Sequence, residues 1–296
     1  MGEEVLAKPK TIAVGGINIR VHSKHEPAEY INLWNALLRM RKAKIRGPSA
    51  LMIGTSSRLN PSNPQSSLFG YLYRFVNIDP DDPWFNIDQH KKAEPEDVAL
   101  VSIPPALKPN LAEIPYLFDV RRHKLFFLSG GTDPSVSAGS VTALMEFLCA
   151  HTRIKDRFGD IDTTTLTKSG LVEELLKWPE IRRIDVSLKR PNPTDFDDDQ
   201  AFYERLKRRN LKEEQYTYLK APGAASITPD EEMKAIFERA VENGLYEQTG
   251  TNPEGKTDTA TSSTYPRKEI GEYDPKVQTF KEAFVQVISE KFGLQQ

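Results

Sequence analysis

Asp119, Arg121 and His123 stand at alternate positions within residues 116–128, the strongest strand signal in the chain. On one extended strand they share a face. A carboxylate, a guanidinium and an imidazole placed together would move a proton and neutralise phosphate charge. That is the chemistry of a metal-independent ribonuclease using His123 with Asp119 and Arg121. The same triplet on an exposed sheet face makes ordinary ion pairs, and its spacing is not diagnostic.

Three clusters of cations offer different chemistry. Arg39, Arg41, Lys42, Lys44 and Arg46 fall within eight residues at the end of a predicted helix. Arg205, Lys207, Arg208, Arg209 and Lys212 form a second cluster, and Arg121, Arg122 and Lys124 a third. Such density binds phosphates even when net charge is neutral, although cations near helix C-termini also complement the dipole. Tyr71, Tyr73 and Phe75 share one face of a predicted strand, as stacking surfaces for unpaired bases or as core. Nucleic-acid contact is therefore expected at Arg39, Arg41, Lys42, Lys44, Arg46, Tyr71, Tyr73, Arg205, Arg208 and Arg209.

Three further patterns carry less. Gly250–Thr257 matches the phosphate-loop pattern GxxxxGK[ST], but residues 258–264 are Thr- and Ser-rich and run to Pro266. That motif needs a helix N-terminus after its glycines, so Asn252-Pro253-Glu254-Gly255 reads as a hairpin turn. Asp195, Asp197, Asp198 and Asp199 would suit a divalent cation, or would cap the helix after them. The five histidines show no metal spacing, and no metal or other cofactor is expected.

Composition narrows the setting. Forty Lys and Arg against 42 Asp and Glu leave a charge of −2, so any polyanion binding must come from local patches. The single cysteine, Cys149, lies in an apolar run and reads as a buried thiol. No leader and no membrane-length apolar run is visible, and a cytoplasmic setting is expected.

The elements that must position these residues alternate irregularly. Strands are expected at Thr11–His22, Leu68–Ile78, Val98–Ile103, Tyr116–Leu128, Asp160–Leu166, Arg183–Leu188 and Gln215–Leu219. Helices are expected at Glu29–Lys44, Ser140–His151, Leu171–Trp178, Asp199–Asn210, Pro229–Asn243 and Gln278–Phe292. In the helix at Pro229, Thr228 reads as the N-cap, Glu231 as its capping-box partner and Gly244 as the C-terminal cap. A hairpin joins Leu245–Thr249 to Thr259–Tyr265. This mixture predicts an α+β fold, with ferredoxin-like layers in each half. Two units, 1–158 and 159–296, are expected, or one fused domain.

Arg122-His123-Lys124, the segment Arg183–Asn192 ending in Pro-Asn, and the helix stop Asn243-Gly244 with Gly250, Gly255 and Ser262-Ser263-Thr264 beyond it carry a family likeness. With these the chain resembles a bacterial family of unknown function, number 4747, met near mobile elements and phage-defence genes. The resemblance implies a setting and no catalytic residues. The resulting expectation is a nucleic-acid-associated protein of a defence or mobile-element system, touching RNA or single strands. A protein partner from the same gene cluster is compatible with it, and a membrane partner is not. The alternatives are the ribonuclease above and a non-catalytic protein-binding scaffold.

Overall fold

Strand β1 (Lys10–Val21) carries Ile12, Val14, Ile17, Ile19 and Val21, and it is buried on both faces. It is the axis of the larger sheet in this computed structural model, which describes residues 9–22, 26–79, 82–99, 101–104, 106–131, 134–189, 202 and 204–294. The other strands of that sheet are β2 (Lys44–Arg46), β3 (Ser49–Arg58), β4 (Leu68–Val76), β7 (Ala112–Asp119), β8 (Lys124–Gly130), β9 (Ile161–Thr165) and β14 (Lys268–Tyr273). Their order is β14-β1-β8-β7-β4-β3-β2. On the edge of β1 away from β8, β14 pairs with Lys10–Gly15 and β9 with Ile17–Val21. A short separate hairpin, β5 (Phe85–Asn86) and β6 (Lys91–Lys92), lies between β4 and β7 in the chain.

Helices cover both faces. Trp34 of α1 (Pro27–Met40) packs on Tyr116 and Phe118, and its indole donates to the Tyr116 hydroxyl at 2.8 Å. Successive strand residues face opposite ways, so Leu117 and its cross-strand partner Phe126 point to the other side. There α8 (Phe280–Phe292) packs Phe284 on Phe69 and Phe292 on Phe126. Helix α3 (Ala138–Cys149) lies against β9, β1, β2 and β3, and α4 (Thr152–Phe158) comes next in the chain. Cys149 is buried in this core, and burial pushes its thiol up to about 12.

A second sheet has the order β11-β10-β12-β13, formed by β10 (Glu180–Lys189), β11 (Glu213–Leu219), β12 (Gly244–Thr251) and β13 (Thr257–Thr261). Helix α7 (Glu231–Asn243) packs on β10 and β12, with α5 (Leu171–Leu175) against it. The shorter helices α2 (Pro95–Ala99) and α6 (204–208) complete the described helices. Two separate apolar cores result, one under each sheet.

The α+β expectation holds, and several details differ. Every described strand pair is antiparallel. In the second sheet helix α7 after β11 leads to β12, and these two strands run parallel on either side of β10, which is the split βαβ arrangement of a ferredoxin-like layer. The sheets do not divide at Phe158. Strand β9 belongs to the first sheet, and β14 and α8 return to it after the second sheet is complete.

Local signals explain the remaining differences. The described residues of the expected strand at 98–103 form none: Pro95, Glu96 and Asp97 start the short helix α2, which takes in Val98 and Ala99. Asp230, not Thr228, caps α7, accepting from the Met233 N–H at 2.8 Å. Gly244 has an extended backbone and leads straight into β12, so it is no left-handed cap. A Cβ there would lie 1.8 Å from the Ser187 carbonyl oxygen, so glycine is required by the close approach of β12 to β10.

The sheets are joined by polar contacts. Arg20 of β1 is fully buried and donates to the Asn243 side chain at 3.2 Å, at the end of α7. Asp162 of β9 pairs with His22 at 2.8 Å and with Lys189 of β10 at 3.8 Å.

Candidate nucleic-acid interface

The proposed catalytic triplet does not lie on one strand. The chain reverses within it, since β7 ends at Asp119 and β8 begins at Lys124. Asp119 is buried and organises the turn: its Oδ1 accepts from the N–H groups of Arg121 and Arg122, and its Oδ2 from Arg122 Nε at 2.6 Å. Arg121 is exposed. His123 takes a left-handed backbone (φ 61°), and its fully buried ring stacks on Tyr30 with centroids 3.7 Å apart. The alternation that put the three side chains on one face fails because these residues form a hairpin turn. Asp119 instead braces the turn, and His123 holds the end of the hairpin against α1.

The GKT sequence is a hairpin turn. The Asn252 N–H donates to the Lys256 carbonyl at 2.8 Å, Gly255 is left-handed (φ 77°), and β13 stands where a phosphate loop needs a helix. The lysine is exposed and pairs with Glu254 at 3.3 Å. The aspartates at 195, 197, 198 and 199 lie outside the described residues.

The basic clusters divide by what surrounds them. Arg205 and Arg209 both pair with Glu214, at 2.7 and 3.3 Å. Arg205 also lies 5.0 Å from the centre of the Phe202 ring. Glu214 offsets one of their two charges, and Arg208 beside them is exposed. Arg122 of the third cluster is likewise paired, to Asp119.

The first cluster is different. Arg41 takes a left-handed backbone (φ 50°) and its N–H donates to the Leu38 carbonyl, ending α1. The chain leaves the helix there, with Arg39, Arg41 and Lys42 exposed, and enters β2. In β2 the register sets Lys44 opposite Leu51, and in β3 Leu51 opposite Arg74 of β4, while Arg46 faces Ser49. Cross-strand partners share a face. Lys44, Arg46 and Arg74 therefore converge on one side of the sheet across three strands, spanning about 10 Å.

Opposite them stands the start of α3. Ser137 caps that helix, accepting from the Ser140 N–H, and the two serine hydroxyls lie 2.9 Å apart. Between sheet and helix is a cleft of about 550 Å³, with Leu51, Val136 and Ala143 on its floor. Arg74 is anchored to the Ser135 carbonyl at 2.8 Å, and Lys44 lies 5.3 Å from the centre of the Phe147 ring. Among the described residues no carboxylate lines this cleft or pairs with its three cations. Arg74 was not among the expected contact residues. Its signal was legible only through strand register, since a lone arginine in a hydrophobic strand reads as an ordinary edge residue.

The tyrosines do not join this site. Tyr71 and Tyr73 alternate with Leu72 and Arg74, so they lie on the opposite face of the sheet, the side that carries α8. Both are half-buried. The Tyr73 ring packs over Gly54, where a Cβ would come within 2.5 Å of it. The expected combination of cations and stacking rings in one surface is thus split across the sheet.

No helix among the described residues is long and apolar enough to cross a membrane. No curated protein matches the sequence. Residues 10–289 match the family described as domain of unknown function DUF4747, and the chain belongs to that family.

Proposed function

We propose that this protein binds RNA or single-stranded nucleic acid through its phosphates, as a non-membrane component of a bacterial defence or mobile-element system. One observation carries the reading: Lys44, Arg46 and Arg74 converge on a cleft that no described carboxylate neutralises. In a chain of net charge −2 such a site is not a by-product of global basicity. Uncompensated cations gathered on a concave surface favour polyanions by charge and counterion release. Arg39, Arg41 and Lys42, exposed at the neighbouring turn, extend the positive surface along the chain. The contacts are with phosphate and sugar, which fix position and carry little base specificity.

The test is the ratio of absorbance at 260 and 280 nm of gently purified protein, before and after a high-salt wash. The reading expects co-purifying nucleic acid that salt removes. Protein that is free of nucleic acid and shows no salt-sensitive binding to any RNA or DNA would instead be a scaffold for a protein partner.

A further inference from the structure

We infer that the cleft between β2–β4 and α3 receives a terminal nucleotide, its phosphomonoester on Lys44, Arg46 and Arg74. This rests on the nucleic-acid reading and makes it more specific. Charge is the first argument. An internal phosphodiester carries one negative charge, whereas a phosphomonoester carries about −1.5 to −2 near neutral pH. The described lining presents three cations and no carboxylate. The positive end of the twelve-residue helix α3 adds to that side of the balance.

Size is the second argument. Proteins that track a strand use extended grooves covering about 4–16 nucleotides per module. The cleft, at about 550 Å³, falls instead in the range of small-ligand pockets. It has a wall on each side, with the sheet strands facing the first turn of α3, and its floor is apolar at Leu51, Val136 and Ala143. Cations at the rim and an apolar floor match the two chemistries of a nucleotide, an anionic phosphate joined to a sugar and base. The two guanidinium groups can each engage a phosphate with paired donors. Because Arg74 is already oriented by the Ser135 carbonyl, little ordering is left for binding to impose on it.

The experiment compares one single-stranded RNA sequence, and its DNA counterpart, in three forms: with a 5′-phosphate, with a 3′-phosphate, and with hydroxyls at both ends. Fluorescence anisotropy should give roughly tenfold tighter binding for one phosphorylated form than for the hydroxyl form. The form that gains identifies the end recognised. Arg74→Gln and Lys44→Gln should each erase the gain in protein that still unfolds in one cooperative thermal transition. Adenosine 5′-monophosphate, run as a competitor, covers the case in which a variant fails to fold; it should displace the strand where adenosine does not. Equal affinity for all three forms overturns the inference and leaves the nucleic-acid reading standing. Absence of binding to every form overturns both. Displacement by the mononucleotide at the concentration of the strand itself assigns the site to free nucleotides and overturns the strand-end assignment.

Discussion

Arg74 donates from Nη1 to the carbonyl oxygen of Ser135 at 2.8 Å. The bond ties β4 to the residue two places before the N-cap of α3, and it uses a neutral acceptor. Arg74 is thus held in position while its charge remains available. Arg205 and Arg209 are held just as firmly, but by the carboxylate of Glu214. A carbonyl partner leaves the charge of Arg74 whole, whereas the shared carboxylate of Glu214 offsets one of the two charges of Arg205 and Arg209.

From this contrast, Arg205→Gln together with Arg209→Gln should leave nucleic-acid affinity and its salt dependence nearly unchanged. The two substitutions remove pairs that are satisfied within the protein. Binding isotherms at several salt concentrations check this, and a marked drop in affinity would show that the second cluster contributes to the interface.

Tyr73→Ala should cost binding to single strands far less than the ~1–3 kcal/mol of a lost stacking platform, because its ring lies over Gly54 on the face away from the cleft. The same substitution should lower stability, since it uncovers that glycine in the β3 bulge between Ile53 and Thr55. Affinity for single-stranded RNA, measured beside thermal unfolding, separates the two effects.

Phe237→Ala should destabilise the protein by ~3–5 kcal/mol. Phe237 is fully buried at the centre of the second core, with Tyr218 and Tyr246 rings at 5.7 and 5.3 Å. Denaturant unfolding gives the value. A change below ~1 kcal/mol would mean that the site collapses around the missing ring.

The pairing of Asp162 makes a prediction about acid. Burial alone would raise its carboxyl, but the His22 hydrogen bond and the charges of Lys189, His22 and Arg20 outweigh burial and lower it from 3.8 to about 2. A carboxyl lowered by folding stabilises the native state above its unfolded value. That stability is lost as pH falls through the folded value. Asp162→Asn should therefore lower stability at neutral pH and flatten the decline between about pH 4 and 2. Parallel stability curves for the two proteins would contradict this.

How much of this was legible in the sequence depends on whether a signal was local. The periodic apolar stripes of α7 and α8 are local, and those helices lie where the sequence puts them, to within a turn, although the cap of α7 is Asp230 and not Thr228. The Asn252–Lys256 turn was legible for the same reason, and it correctly overrode a phosphate-loop match. Strand β3 was not legible, because the bulge between Ile53 and Thr55 breaks its alternation. The reversal at Val120–His123 contains no glycine, proline or asparagine to mark a turn, so the alternation reads through it and puts His123 on a strand face, whereas its ring is folded against Tyr30. The cleft itself depends on the pairing of β2, β3 and β4. Lys44 and Arg46 could be named from their spacing, but Arg74 lies 28 residues further on, and only register brings it to them.

The central claim is that Lys44, Arg46 and Arg74 act together as an uncompensated phosphate site. The most direct measurement is the salt dependence of binding to a single-stranded RNA, for the wild-type protein and for the triple variant Lys44→Gln, Arg46→Gln, Arg74→Gln. The account predicts weaker binding by the variant to unrelated sequences alike, and a slope of log affinity against log salt that falls by about one unit for each phosphate no longer bound. A folded triple variant with the wild-type affinity and slope would contradict it.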